Sequence, residues 1–433
     1  MIANLALVLL VAAAPAAAPR VLTLEEALAT ARAQQPQVRQ AAAATQAAVA
    51  RADETLAPLL PQVSGSGSYQ RETANYASKP GSLPGPISGT SSSESWATSS
   101  YYNFGLNASV LLYDFGQTRS RWRSSRASAA SQKDSERATL DQVLYSVRIA
   151  YFQARAAKEL VKVANETLAN QQKHMEQTQG FVEAGRQPEI SLAQAKTDFA
   201  NTRVQLITAE NGYETAKAQL NQAMGLDSPA DYDVAGEGLP AIDGEDGAPD
   251  VLLDEAVKAR PELSALANQA RAQELTVRAL RGAFGPSLNL STGFSDAGEQ
   301  FSNLTWNWNA GLLFSVPIFQ GGQTKAQVRE AEANLAAIKA QFDGQRQQVR
   351  LEIEQARLTI RADKAALDAS AEALANARLR LELAEGRYET GVGNIIELGD
   401  SQVALTSAAQ QRVQADYYLA QARAGLLKAL GRD

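Results

Sequence analysis

Hydrophobic and polar residues alternate with a period of two along four stretches of the chain. One set of alternate positions holds mostly apolar or aromatic residues, and the other holds mostly small polar residues or glycine. The stretches are residues 63–70, 104–112, 288–295 and 306–314. This pattern is typical of strands with two different faces, and it predicts two β-hairpins, at residues 62–116 and 287–320.

Each predicted hairpin is followed by a long segment whose sequence favours a single helix. Residues 117–184 and 323–390 contain no proline. About 68 residues at ~1.5 Å per residue give a helix on the order of 100 Å long, whereas ordinary globular helices have ~8 to 20 residues. Both segments end at a glycine turn and the helical pattern then resumes, which predicts long helical hairpins over residues 117–224 and 323–430.

The chain is an internal duplication. The spacing from Pro36 to Pro61 recurs 225 positions later, and from Gly105 onward a second offset of 206 holds to the end of the chain. The difference places an insertion between Tyr69 and Gly105, in a segment rich in Ser, Gly and Pro that is expected to form a loop. We expect a first repeat at residues 19–225, a linker rich in Gly, Asp and Pro at 226–250, and a second repeat at 251–433, each repeat beginning with a helix.

The first residues have the pattern of an export signal. A continuous apolar run from Leu5 to Val11 precedes alanines of the cleavage-site type, so residues 1–18 are expected to be a signal peptide cut near residues 16–18. No later stretch approaches the ~18 uncharged apolar residues of a membrane-spanning helix. The mature protein is therefore expected to be either a soluble exported protein or a transmembrane β-barrel.

Composition argues against most catalytic and metal chemistry. The 433 residues include no cysteine and one histidine, and the net charge is −6. Disulfides, thiolate metal sites and a lipid-modified N-terminal cysteine are therefore not expected, and His174 is expected to lie on a solvated helix face. No catalytic constellation, cofactor motif or basic block appears, so we expect no enzyme activity, no cofactor and no nucleic-acid partner.

The strand count predicts assembly if the hairpins enter a membrane. Four strands cannot close a barrel, and an open sheet edge in hydrocarbon leaves backbone groups unpaired. A dimer would supply eight strands and a trimer twelve, and the pattern does not choose between them. Apolar positions such as Leu106, Val110 and Leu312 would face lipid, and Asn103, Asn107 and Asn309 would face the lumen.

Aromatic residues cluster near the ends of the predicted strands. They fit either an ordinary core or the girdles that membrane barrels place at the two bilayer interfaces, and the girdle interpretation is favoured. These residues are Tyr101, Tyr102, Tyr113, Trp306, Trp308 and Phe319.

The duplicated order of strand hairpin and long helical hairpin resembles the TolC family of outer-membrane efflux and secretion channels. The resemblance extends from about Leu22 to Gly431 and includes the segments Arg387–Gly391 and Ile395–Asp400. It implies a mixed α/β membrane protein, a homotrimer with a 12-stranded β-barrel of four strands per chain, continued by a periplasmic α-barrel of twelve helices. It also implies an equatorial collar built from the linker and termini, in the outer membrane of a Gram-negative bacterium.

The resemblance further implies the protein's partners. Besides the homotrimer and outer-membrane lipid, these are a periplasmic adaptor and an inner-membrane pump of the RND or ABC type. The expected function is the exit channel of a tripartite export system for drugs and toxic compounds, with a type I protein secretion outlet as the alternative. An exported coiled-coil scaffold or adhesin would explain the helices but not the four alternating strands.

The resemblance places a pore constriction near the start of the last helix. By register, Glu397 and Asp400 match a carboxylate ring of the family, and three chains would supply six carboxylates near the axis. The competing interpretation is a solvated pair in the first helical turn, favoured by the helix dipole.

Further positions follow from the same resemblance. Tyr388 matches a tyrosine of the constriction that, in some members, bonds to an aspartate and holds the channel shut. Ser191 stands at that aspartate position and Gly393 at the position of an arginine latch, so the family's latch is not intact here. The turns at Gly185 and Gly391 are expected to dock the adaptor, with glycine required for a left-handed conformation.

Overall fold

The computed structural model of the chain describes residues 20–73, 96, 98–245, 247, 249–390 and 392–432. The expected signal peptide, residues 1–18, and the residues inserted in the first hairpin at 74–95 lie outside the described residues. Helices are α1 Leu24–Gln34, α2 Pro36–Leu56, α3 Gln117–Glu183, α4 Glu189–Met224, α5 Pro249–Ala259, α6 Pro261–Gly282, α7 Gln323–Glu389 and α8 Ile395–Leu430. Strands are β1 Arg20–Leu22, β2 Gln62–Thr73, β3 Thr98–Tyr113, β4 Tyr232–Val234, β5 Ser287–Gln300 and β6 Asn303–Ser315.

The long helices expected from the sequence are present. Helices α3 and α7 each contain 67 residues, and the returning helices α4 and α8 each contain 36. The returning helices end at Gly225 and Gly431, whose φ angles of 78° and 68° are left-handed and close the last helical turn. The mixed α/β fold class is therefore confirmed for the single chain.

Four strands form one antiparallel sheet in the order β2-β3-β5-β6. Register partners in such a sheet point to the same face, so Leu106, Phe294 and Trp308 share one face. Asn107 and Asn309 share the opposite face, where a Cβ added at Gly293 would lie 2.8 Å and 2.6 Å from their Oδ1 atoms. The sheet thus has one apolar face and one face on which small and amide side chains predominate, with Leu111 and Leu313 as exceptions.

The chain divides into two compact units. Unit 1 contains residues 1–43, 135–263 and 344–433, and unit 2 contains residues 44–134 and 264–343. Unit 2 holds the four-stranded sheet, most of α2 and α6, and the first parts of α3 and α7. Among the helices that the structure describes, none is both long and apolar enough to cross a lipid bilayer.

Unit 1 contains a second, smaller sheet that the sequence pattern did not predict. Strands β1 and β4 pair in parallel, with Leu22 opposite Val234. The hydroxyl of Tyr151 on α3 reaches the carbonyl oxygens of Leu22 and Ala235, at 3.4 Å each. The expected linker at residues 226–250 therefore contributes a strand that packs on the core of unit 1 around Phe152.

Candidate functional site

Two helical turns meet at one end of unit 1. The turn between α3 and α4 contains Gly185, which is exposed and has a φ of 70°, so the expected left-handed conformation is confirmed at this glycine. The amide of Gly185 donates to the carbonyl of Val182 at 2.9 Å, and that of Arg186 donates to Phe181 at 2.8 Å. Gly391, in the turn between α7 and α8, lies outside the described residues.

Tyr388 joins the two turns through a buried side chain. Its ring is only 4% exposed and packs in a cluster with Leu381 and Leu398. Its hydroxyl accepts a hydrogen bond from Nε2 of Gln187 at 3.0 Å and lies 3.3 Å from Oγ1 of Thr178. In the single chain, Tyr388 therefore fastens the end of α7 to the turn after α3.

His174 packs against the same tyrosine, which corrects the expectation of a solvated helix face. The two ring centroids are 5.1 Å apart at 67°, and His174 is only 7% exposed. Burial lowers the pKa of His174 below its ordinary value, and the nearby charge of Asp198 opposes this shift. His174 Nδ1 has no hydrogen-bond partner among the described residues, so a neutral imidazole with an apolar contact fits this site.

The two candidate constriction carboxylates differ in their surroundings. Asn394 is the N-cap residue of α8, and its side chain accepts a hydrogen bond from the amide of Ile396 at 3.1 Å. In the first turn, Glu397 Oε2 lies 3.6 Å from Nη2 of Arg387, with both side chains about half exposed. Asp400, one turn later, is exposed and has no cationic partner among the residues that the structure describes. Asp400 therefore carries the less compensated negative charge of the pair.

Ser191 and Gly393, which stand at the positions of the family's latch residues, have different surroundings. Ser191 lines a groove of about 570 Å³ together with His174, Asp198 and Asp400. A side chain at Gly393 would collide with the end of α7, because an added Cβ would lie 2.8 Å from the amide nitrogen of Tyr388. This backbone leaves no room for an arginine at residue 393.

Sequence reasoning missed the buried polar stripe that supports this region. Gln171, His174 and Thr178 recur at helical spacing on α3, and Gln171 Nε2 donates to Oε1 of Gln402 on α8 at 2.7 Å. The spacing of 3 and 4 residues was a usable signal, because it places these side chains on one helix face. Within the described part of the chain, no group of three or more His, Asp or Glu residues is arranged to hold a metal ion.

Comparison with known proteins identifies the family. A family model described as outer membrane efflux protein matches residues 27–226 and 252–432. The cation efflux system protein CusC of Escherichia coli K12 is 25% identical over 404 residues, covering 91% of this chain and 83% of CusC. TolC of the same strain is 26% identical over 411 residues, covering 89% of this chain and 78% of TolC.

A solved structure shows the same fold. The outer membrane channel CmeC of Campylobacter jejuni superimposes with a TM-score of 0.81 at 20% sequence identity, covering 94% of this chain and 85% of CmeC. The resemblance to the TolC family is thereby confirmed. The chain belongs to the outer membrane efflux protein family, and its place is the outer membrane.

Proposed function

We propose that this chain is one of three identical subunits of an outer-membrane exit channel in a tripartite export system. Three chains close a 12-stranded barrel in the membrane, and their long helices form the periplasmic tunnel. A periplasmic adaptor and an inner-membrane pump of the RND or ABC type deliver the cargo. In this proposal the mature chain, after loss of residues 1–18, consists of two repeats, at residues 19–225 and 251–433, joined by the linker.

The observation that carries this proposal is that, in the described part of the chain, the four-stranded sheet has two unpaired edges and an exposed apolar face. Strands β2 and β6 are its outer strands, and neither has a second strand partner within the described residues. The apolar face is open, with Leu106 55% and Leu312 62% exposed. A sheet that leaves both its edges and its apolar face open requires edge partners and an apolar surrounding, and a closed barrel in lipid supplies both.

The two faces of the sheet support a division between lipid and lumen. The apolar face would contact hydrocarbon, and the face with Asn103, Asn107 and Asn309 would line a hydrated pore. In the periplasm, the turns at Gly185 and Gly391 would dock the adaptor. Asp400 and Glu397 would narrow the tunnel, with Tyr388 holding the closed arrangement.

Efflux of small toxic solutes is the cargo class that we favour. CusC is named a cation efflux system protein, and a further relative, TtgC of Pseudomonas putida, is named a probable efflux pump outer membrane protein. TtgC is 26% identical over 384 residues, which cover 87% of this chain and 76% of TtgC.

A pair of arginine substitutions tests the barrel. Leu312→Arg should cost about 2 to 4 kcal/mol if the residue lies near the bilayer midplane, so heat-resistant oligomer in outer-membrane extracts should fall sharply. Asn309→Arg, three residues away on the opposite face, should leave the amount of oligomer unchanged and alter solute passage. Equal amounts of oligomer in the two variants would contradict the assignment of faces.

A further inference from the structure

The surface of unit 2 contains a strongly basic groove between α3 and α6. The groove has a volume of about 710 Å³, and the charged side chains that line it are four arginines and one glutamate. These residues are Arg123, Arg126, Arg271, Arg278 and Glu274. Glu274 also forms an ion pair with Lys339, at 3.1 Å. The groove therefore has a large excess of positive charge in a chain whose overall charge is negative.

Packing of the two helices fixes the backbone positions that carry the arginines. Ser124 Oγ on α3 donates to the carbonyl of Ala272 on α6 at 2.7 Å, and Ser131 Oγ donates to Ala265 in the same way at 2.7 Å. These short contacts bring the two backbones close together. Arginines at positions three apart on α3 and seven apart on α6 then lie along the same side of the seam.

The four guanidinium groups have no carboxylate partner among the described residues. Arg126 lies over the ring of Trp122, 5.2 Å from its centroid, and no ion pair is formed by Arg123, Arg271 or Arg278. All four side chains are exposed. Like charges gathered on one groove repel one another, and an anion bound among them would relieve this repulsion.

The groove lies directly beside the sheet. Helix α3 begins four residues after β3 ends, and α6 ends five residues before β5 begins. A Cβ added at Gly282, the last residue of α6, would lie 3.2 Å from the backbone of Gln117 at the start of α3. At ~1.5 Å per residue, Arg278 lies about 6 Å and Arg123 about 9 Å from these helix ends.

Exposed aromatic residues lie at this end of the sheet, where the strands join the helices. Tyr113 is 52% exposed, Phe115 56%, Phe284 55% and Phe319 87%. Aromatic side chains of this kind concentrate at the boundary between hydrocarbon and headgroups, and the headgroup layer beyond it is about 5 to 8 Å thick. If the aromatic residues lie at that boundary, Arg278 and Arg123 lie close to the depth of the lipid phosphates, and Arg126 and Arg271 lie farther along the groove.

We propose that the groove between α3 and α6 binds the phosphate headgroup of an anionic phospholipid in the periplasmic leaflet of the outer membrane. This inference rests on the proposed placement of the strands in the bilayer. Guanidinium groups bind phosphate oxygens with paired hydrogen bonds, and basic pockets next to membrane segments bind anionic headgroups. The alternative is that these exposed arginines pair with carboxylates of a neighbouring copy, and a lipid titration distinguishes the two.

Native mass spectrometry of the delipidated, detergent-purified full chain tests the proposal. Titration with phosphatidylglycerol and with phosphatidylcholine should show about tenfold tighter binding of phosphatidylglycerol to the wild type. Arg123→Gln with Arg278→Gln should abolish most of this preference. The control, Arg121→Gln with Arg329→Gln, removes the same charge from exposed positions of unit 2 outside the groove and should keep the preference.

Several results would overturn the lipid site. The first is that the wild type shows no preference for phosphatidylglycerol, and the second is that the groove variant keeps the full preference. The third is that inorganic phosphate saturates the groove at the same concentrations as the lipid. Loss of oligomer in the groove variant without lipid preference in the wild type would assign the arginines to contacts between copies. The same spectra report the number of chains, so a monomer that retains the lipid preference would contradict the proposed assembly and leave the groove assignment standing.

Discussion

Individual side chains at the helical turns of unit 1 perform different tasks. Tyr388 is buried and bonded to Gln187, so it stabilises the junction of the turns. Glu397 is compensated by Arg387, whereas Asp400 is exposed and uncompensated. Of the three residues expected at a constriction, Asp400 therefore carries the charge that neighbouring groups compensate least.

Charge selectivity should depend on Asp400. In a threefold assembly Asp400→Asn removes three negative charges from one level of the tunnel, so the cation-to-anion permeability ratio should fall about twofold or more. Planar-bilayer recordings of the purified channel measure this ratio. Asp343→Asn, which removes an exposed carboxylate from α7 in unit 2, serves as the control. An equal ratio in Asp400→Asn and wild type would show that the constriction lies elsewhere.

Adaptor docking should depend on the backbone at Gly185. A β-branched residue at this φ of 70° is strained by about 1 to 2 kcal/mol, although a Cβ would meet no atom within 4 Å. Gly185→Val should therefore abolish export while leaving oligomer in the outer membrane, whereas Gly185→Asn should retain export because asparagine tolerates this conformation. Drug susceptibility of a strain that depends on this channel measures export, and full export by Gly185→Val would refute the docking role.

Elements differ in how well the sequence predicted them. The long helices and the two hairpins were predictable, because period-two alternation and the absence of proline extend over many residues. Strands β1 and β4 have three residues each and no detectable period. They exist because a tertiary contact with Tyr151 and the helix core completes their hydrogen bonding. The burial of His174 was missed for a similar reason, since the residues on either side of it, 171–177, are polar except for Met175.

The linker is anchored to the helices of unit 1 by charged groups. Glu245, 7% exposed, accepts hydrogen bonds from Lys364 and Arg423 and from the amide of Ile242. Burial alone would raise the pKa of Glu245, but the bonds from Lys364 and Arg423 outweigh it and hold this pKa below its ordinary value. The linker is thus tied to α7 and α8 by one buried carboxylate.

Stability should depend on pH through this carboxylate. Because its folded-state pKa is lowered, the stabilisation is present above the ordinary glutamate pKa of about 4.5 and is lost as the pH falls through the lower folded value. Glu245→Gln should lower the free energy of unfolding by about 3 kcal/mol at pH 7, and the gap to wild type should close towards pH 3.

A second, more exposed ion pair serves as the control, because it tests the effect of pairing without burial of the carboxylate. Glu255 pairs with Arg432 at 2.7 Å, but its side chain is 39% exposed, so Glu255→Gln should cost no more than about 1 kcal/mol. Thermal unfolding in detergent, followed by circular dichroism between pH 3 and pH 7, measures both variants. A difference between Glu245→Gln and wild type that persists unchanged at pH 3 would exclude the ionised carboxylate as the cause.

At the scale of the whole molecule, the described part of the chain has a four-stranded sheet with two unpaired edges, and the chain belongs to a family of outer-membrane channels. The sequence predicted the need for assembly, because four strands cannot close, but it did not choose the number of chains from the pattern alone. Closure of a barrel requires β6 of one chain to pair with β2 of the next. The structure places β3 and β5 between these two edges within one chain, so the edges cannot join internally.

Disulfide crosslinking of the two sheet edges tests this closure directly. The chain has no cysteine, so each variant carries only the introduced pair: Cys at Ser64, Ser66 or Ser68 on β2, combined with Cys at Asn307 or Asn309 on β6. Three strand spacings of ~4.8 Å separate the edges within one chain, which is too far for an internal disulfide. After oxidation in outer membranes, at least one pair should give a covalent species of three chains as the largest product. Open ladders of higher polymers, a limit at two chains, or monomers for every pair would contradict a closed trimeric barrel.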